Sequence, residues 1–188
     1  MSALPPGLMV AGLRVYGVVG WKNAGKTTLV ERLVAEIVAR GFRVSTVKHT
    51  HHGVDVDRPG KDSHRHRQAG AGQVILASSA RWALMSELRG APEPPLEALI
   101  GRLDPVDLVI VEGYKRDSHP KVEAWRAETG QPLIAREDPT VRAIATNDAP
   151  GEPAPACPVI GLDDIPAIAD FVLADCGLAE PLRGSAAE

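Results

Sequence analysis

An α/β fold with a mainly parallel sheet flanked by helices is the architecture this sequence predicts, and three observations carry it. Leu13 to Gly20 is a β-branched run ending in glycine, which reads as a buried strand. It is followed by a helical pattern, Lys26 to Arg40, and a second extended run, Phe42 to Lys48. A strand–helix–strand crossover of this kind makes its strands parallel and right-handed. Further on, Val106 to Val111 is almost continuously apolar, as expected of a strand in the middle of a parallel sheet. Strand and helix signals keep alternating to the end of the chain.

Each element has its own local reason. Leu29, Val30, Leu33, Val34, Ile37 and Val38 recur at helical spacing and give the first helix one broad apolar face. Gly41 is placed to cap its C-terminus. His49 to Lys61 is a polar loop, after which Asp62 or Ser63 can cap a short helix toward Ala69 that Gly70 and Gly72 stop. Gln73 to Ala77 and Arg81 to Leu88 pair as a hairpin candidate across Ser78 to Ala80. Leu96 to Leu103 reads as a helix after a Pro-rich stretch. Val141 to Thr146 is a further strand, Asn147 to Pro158 a Pro/Ala/Gly loop, Val159 to Leu162 a last short strand and Ile165 to Ala174 a last helix. The expected organisation is a lead-in over 1–12, one domain over 13–176 and a tail over 177–188 with little to bury.

A chain of 188 residues fits one domain and buries about 70% of the surface its unfolded form exposes. Hydrophobic content of 44% and charged content of 24% match ordinary globular proteins. Aromatic residues make up only 4%, too few for base-stacking platforms, and a net charge of −3 argues against a general nucleic-acid binder. Cys157 and Cys176 form no spaced metal pattern, which points to reduced thiols. No apolar run reaches bilayer length and no secretory pattern opens the chain, so the expectation is a cytoplasmic protein without a membrane span.

Gly20-Trp21-Lys22-Asn23-Ala24-Gly25-Lys26-Thr27 fits G-x-x-x-x-G-K-[ST] at every fixed position, with a strand running in and a helix running out. That context makes it a P-loop and the fold a P-loop NTPase. Gly20 and Gly25 allow close backbone approach, and successive N–H groups form an anion nest. The helix N-terminus adds roughly half a positive charge. Lys26 is expected on the β- and γ-phosphates, the Thr27 hydroxyl on Mg²⁺, and Lys22, Asn23, Ala24 and Thr28 in the same phosphate cradle.

Such a site needs an acidic partner near the metal. Glu112 stands at the carboxyl end of the apolar strand, on the edge where such sheets bind ligands, while Asp107 at the other end reads as structural. Thr146-Asn147-Asp148 ends another strand at the same edge. An Asp carboxylate there can accept from guanine N1–H and N2–H₂, and Asn147 can add a contact, which favours GTP over ATP. The alternative, that Asn147-Asp148 merely begins the next loop, stands beside it.

Five of the six histidines lie between His49 and His66, among Lys48, Arg58, Lys61, Arg65 and Arg67. Three readings compete: a surface for a phosphorylated ligand or acidic partner, a solvated loop, and a transition-metal site. Asp55 and Asp57 can also reach Mg²⁺ as a switch-like element.

Together these segments resemble the molybdopterin-guanine dinucleotide biosynthesis protein B family. The resemblance rests on GVVGWKNAGKTTL, on VKHTHHGVDVDRPGKDSHRHRQAGA and on DLVIVEGYKR, spanning roughly Val15 to Arg116. It implies a small homodimeric GTP-binding accessory protein of weak GTPase activity, working with the guanylyltransferase that attaches GMP to molybdopterin. It also implies GTP, Mg²⁺ and the molybdenum cofactor or molybdopterin as ligands. On this chain it puts Gly25, Lys26, Thr27 and Thr28 on phosphates and Mg²⁺, with Glu112 as the acidic partner. The loop carrying His49, His51, His52, Lys61 and Arg65 would face the nucleotide or pterin phosphate. Lys26, Asp57 and Glu112 are then the expected catalytic residues, and Thr27, Glu112 and Asp57 the metal ligands. Rival readings of the same loop are a small-molecule kinase and a metallochaperone GTPase.

Overall fold

The computed structural model describes residues 9–50 and 57–178. The chain divides into two compact units. One draws on the described residues of Met1–His49 and Leu96–Glu188, the other on those of Thr50–Pro95. The second unit falls inside the stretch 13–176 that the sequence predicts as one domain.

The larger unit is a seven-stranded sheet. Its elements are β1 (Met9–Val10), β2 (Leu13–Val19), α1 (Lys26–Ala39), β3 (Val44–Lys48), α3 (Leu96–Ile100), β6 (Leu108–Glu112), β7 (Lys121–Ala124), β8 (Val141–Ala145), β9 (Val159–Ile160) and α4 (Ile165–Asp175). The smaller unit holds α2 (Asp62–Gln68) and the hairpin β4 (Gln73–Ala77) and β5 (Trp82–Ser86). In the sheet the order is β3-β6-β2-β7-β8-β9, with β1 folded back antiparallel on β2 and all other pairs parallel. The fold is the expected mainly parallel sheet flanked by helices.

Two apolar layers hold it. Tyr16 and Val18 of β2 meet Leu29, Leu33 and Ile37 of α1 and Ile168 and Val172 of α4 on one face. Leu13 and Val15 meet Val109, Val111 and Ile100 on the other. The face expected of α1 is the face used, except that Val38 at its margin stays half exposed. Gly41, at φ 91°, closes α1 as expected: its N–H donates to Val38 O at 2.9 Å and the Phe42 N–H to Ile37 O at 3.3 Å. The end of α4 repeats the device, with Leu178 N donating to Leu173 O at 2.8 Å. Leu178 is buried, so the described start of the tail does have something to bury. Asp107 is structural, as expected: buried, it accepts the Arg43 N–H at 2.7 Å.

Helix α2 starts at Asp62 with Lys61 as its N-cap residue, not with Asp62 or Ser63 in that role. The Ser63 hydroxyl instead donates to Asp57 Oδ1 at 2.8 Å.

Strand β7 has no counterpart among the strands the sequence predicts. Lys121 and Glu123 alternate with Val122 and Ala124, a pattern that signals an edge strand, yet all four are buried. The charged side chains are satisfied locally. Lys121 Nζ donates to Thr140 Oγ1 at 2.6 Å and to Asp138 Oδ2 at 3.2 Å. Glu123 accepts the N–H groups of Ile134 and Ala135 at 2.8 and 2.9 Å. Burial pulls the Lys121 ammonium down against its Asp138 partner, and raises the Glu123 carboxyl against those two amides. Beside them His119 is buried, with neither ring nitrogen hydrogen-bonded, and burial pushes its imidazole down to about 4, so it is neutral at pH 7. Gly17 makes room for it: a Cβ at that position would stand 2.5 Å from His119 Nε2.

Candidate phosphate-binding site

The site begins where β2 runs out. Gly20 lies at φ 146°, and a Cβ there would come within 2.3 Å of the Ala124 carbonyl oxygen, so β7 packs against the loop as only glycine permits. Asn23 and Gly25 follow at φ 67° and 93°. Left-handed residues interleaved in a short loop are the geometry from which backbone anion nests are built. Ala24 is fully buried and its N–H donates to Trp21 O at 3.2 Å, which pins the loop's crest. Lys22 and Asn23 are exposed.

Helix α1 then starts at Lys26 with Gly25 as N-cap, so no side chain caps its first N–H groups and no acidic residue sits in its first turn. Helix α4 is the contrast, since its N-cap Asp164 accepts the Ala167 N–H at 3.2 Å. A helix start without a cap of its own keeps its amide donors and its partial positive charge for an anion.

Parallel register does the rest. Glu112 pairs with Val18 on one side and with Lys48 on the other. The His49 N–H donates to Glu112 O at 2.9 Å and the Gly113 N–H to Val18 O at 3.1 Å, so both neighbouring strands hold this edge. The buried Glu112 side chain therefore points at the first turn of α1, where its Oε1 accepts the Thr27 hydroxyl at 2.7 Å. Lys48 Nζ stands 3.2 Å from both Thr27 Oγ1 and Glu112 Oε1. Lys26 Nζ donates to Trp21 O at 2.7 Å. Burial lowers the Lys26 pKa; Glu112 opposes that, and Lys115 and Lys48 add to it. A desolvated ammonium among other cations is strongly predisposed toward a polyanion.

Two further cations complete the loop's surroundings. Lys115 Nζ lies 3.9 Å from the centre of the Trp21 ring, whose Nε1 donates to Pro132 O at 2.8 Å. The Arg126 guanidinium lies about the Gly25 Cα, with Nε 3.5 Å from the position a Cβ would take. Local sequence signals do not single out Arg126, and they mark Lys48 only as one of the cations around the histidines; each reaches this site through strand order. Arg126 follows the unforeseen β7, and Lys48 faces Glu112 only because β3 lies next to β6.

The loop over residues 20–28 and its acidic partner thus come together at the foot of α1, and the remaining expected site residues have the following surroundings. Asn147 donates through Nδ2 to Asp163 Oδ2 at 2.6 Å and accepts the Leu162 N–H at 2.9 Å, which ties the end of β8 to the turn before α4. Asp148 Oδ2 accepts the Ala127 N–H at 2.8 Å. Both lie at the expected sheet edge with part of their hydrogen-bonding capacity committed to the fold. His49 packs its ring on Tyr114, centroids 4.8 Å apart. Asp57, Lys61 and Arg65 belong to the smaller unit, where Asp57 accepts the Ser63 hydroxyl and lies 3.5 Å from Arg67 Nε. His51, His52 and Asp55 lie outside the described residues. Among the described residues no three His, Cys, Asp or Glu side chains converge as a metal site.

The donors that do converge, a hydroxyl and a carboxylate oxygen, are hard oxygen ligands of the type magnesium takes beside substrate phosphates, so Thr27 and Glu112 fit that ion. When bound there, it would neutralise charge on the terminal phosphates.

Comparison with known proteins gives a consistent result. The family model described as "Molybdopterin guanine dinucleotide synthesis protein B" matches residues 15–147. The molybdopterin-guanine dinucleotide biosynthesis adapter protein of Haemophilus influenzae is 44% identical over 84% of this chain and 86% of its own length. The protein of the same name from Escherichia coli is 42% identical over 81% of this chain and 87% of its own. Among solved structures, the crystal structure of a MobB homologue from Bacillus stearothermophilus superposes with a TM-score of 0.61 at 30% identity, covering 85% of this chain and 98% of that one.

Proposed function

The chain belongs to the molybdopterin guanine dinucleotide synthesis protein B family, and from that premise we propose that it is a GTP-binding adapter of molybdenum cofactor assembly in the cytoplasm. It holds Mg²⁺ and GTP at the loop Gly20 to Thr28 and works beside the guanylyltransferase that joins GMP to molybdopterin. The observation that carries this reading is the contact of Thr27 with Glu112 at 2.7 Å, at the foot of a helix whose N-terminus has no side-chain cap. Lys26 and the loop amides take the β- and γ-phosphates, Thr27 and Glu112 hold the metal, and Arg126 adds positive charge beside Gly25. Asp148 and Asn147, at the adjoining edge, read the base. Hydrolysis by the isolated protein is slow, because positioning and charge stabilisation drive phosphoryl transfer and the sequence offers no evident water-orienting glutamine.

Calorimetric titration with GTP and ATP, with and without Mg²⁺, tests this. The expected result is saturable GTP binding that tightens with Mg²⁺ and exceeds that of ATP. Equal affinity for both nucleotides would remove the base assignment, and no binding of either would remove the function.

The adapter works as a homodimer, and the hairpin β4–β5 supports that. Ile75 faces Leu84 across the strands, and Trp82 lies two residues along on the same face, with exposures of 66%, 37% and 64%. A two-stranded hairpin is marginal by itself, and an apolar patch of this kind marks an interface. Ile75→Ser with Trp82→Ser should convert a dimer into a monomer in sedimentation analysis. A double variant that sediments like the wild type would exclude this surface.

A further inference from the structure

Lys48 has no role in the reading so far, yet its ammonium stands 3.2 Å from both groups assigned to the metal. Its backbone is fixed. Lys48 is the last residue of β3, directly opposite Glu112 in the parallel register, and the next residue donates its N–H to Glu112 O. Its side chain is not confined in the same way, being 54% exposed against 9% for that of Glu112. A lysine is a compact point charge on a flexible four-carbon stem, so the head can leave while the strand stays. A buried carboxylate needs a cationic or hydrogen-bonded partner. Thr27 and Lys48 supply one each.

Resting on the assignment of this loop to Mg²⁺ and GTP, we propose that Lys48 is a positioning residue that competes with the divalent ion for Thr27 and Glu112 and, once displaced, turns to the terminal phosphate. Two cations cannot share one carboxylate oxygen at this distance without strong repulsion. Whatever ion takes Glu112 must therefore free Lys48, and a triphosphate held by the adjoining loop would offer it the opposite charge. The chain thereby makes metal and triphosphate binding depend on each other. A nucleotide without the γ-phosphate leaves the displaced Lys48 only solvent in place of that anion, so Mg²⁺ is held more weakly with GDP than with GTP.

The test is Lys48→Met, which keeps the stem and removes the charge at an exposed position. GTP and GDP affinities are measured by calorimetry across a series of Mg²⁺ concentrations, with circular dichroism to verify the fold. The wild type should need about five- to tenfold more Mg²⁺ for half-maximal tightening with GDP than with GTP. Lys48→Met should lower the Mg²⁺ requirement with GDP, shrink the GTP–GDP difference to less than about twofold, and weaken GTP binding at saturating Mg²⁺ several-fold. A variant whose Mg²⁺ requirement and GTP–GDP difference match the wild type overturns the role of Lys48 and leaves the phosphate site standing. A wild type that binds no GTP at any Mg²⁺ concentration overturns both.

Discussion

Lys26→Ala should weaken GTP binding by about 10- to 100-fold while leaving the protein folded. Hydrogen bonds to charged groups contribute about 1.5–3 kcal/mol, and each 1.4 kcal/mol is a factor of ten in affinity. Lys26 is the one P-loop ammonium whose charge is already partly desolvated, with burial the largest influence on its pKa and two neighbouring lysines pressing the same way. Those groups make its charged form less comfortable in the fold and more responsive to a phosphate. For the same reason its removal costs the fold little: the donation to the Trp21 carbonyl and the attraction of Glu112 disappear, and with them the cost of the desolvated charge. Calorimetry with Mg²⁺ and GTP reads the first effect and a urea melt the second. A variant with wild-type affinity would place the triphosphate elsewhere.

Gly20→Ala should unfold the protein more readily than any change at the loop's polar side chains. Two costs coincide there. A residue with a Cβ at φ 146° is strained, by about 1–3 kcal/mol. Its Cβ would also lie 2.3 Å from the Ala124 carbonyl oxygen, and overpacking costs a further ~1–3 kcal/mol. Neither side can yield cheaply, because Ala124 belongs to β7, which pairs with β2 and β8 at the centre of the sheet. Gly12→Ala is the control: it has a positive φ of 80° but nothing within 4 Å of the added carbon, so it shows the strain alone. The urea midpoint should fall markedly for Gly20→Ala and about half as far for Gly12→Ala, with the slope unchanged in both. Equal losses would mean that β7 does not close against the loop.

What the sequence disclosed, and what it did not, follows from how each feature is encoded. The phosphate loop, the first helix and the strand ending in Glu112 were legible because the fixed motif, the 3.6-residue period and the β-branched run are all local signals. The capping glycine and the hairpin in the smaller unit were legible for the same reason. Strand β7 was not. Its Lys121 and Glu123 alternate with apolar residues, and their burial is made tolerable by the nearby Asp117 carbonyl together with Thr140, Asp138 and the amides of Ile134 and Ala135, which lie more than ten residues away. Missing β7 meant missing Arg126, since the strand delivers that side chain to Gly25. Lys48 was legible as one cation of the histidine-rich segment, but its place opposite Glu112 was not, since nothing in a linear reading says that β3 lies beside β6. Asn147 is the reverse case. Its place after a strand suggested base recognition, and the fold adds bonds to Asp163 and Leu162 that a local reading cannot see. The separation of Thr50–Pro95 was likewise beyond local patterns, because its short helix and hairpin look like any other insertion until their partners are known.

The central claim is that the bend between β2 and α1 is where polyphosphate sits. Crystals grown with Mg²⁺ and a non-hydrolysable GTP analogue test it most directly. The account expects phosphate density enclosed by residues 20–28, with the Lys26 ammonium turned from the Trp21 carbonyl onto it. Density for the analogue at another surface, with that lysine still on Trp21, would contradict it.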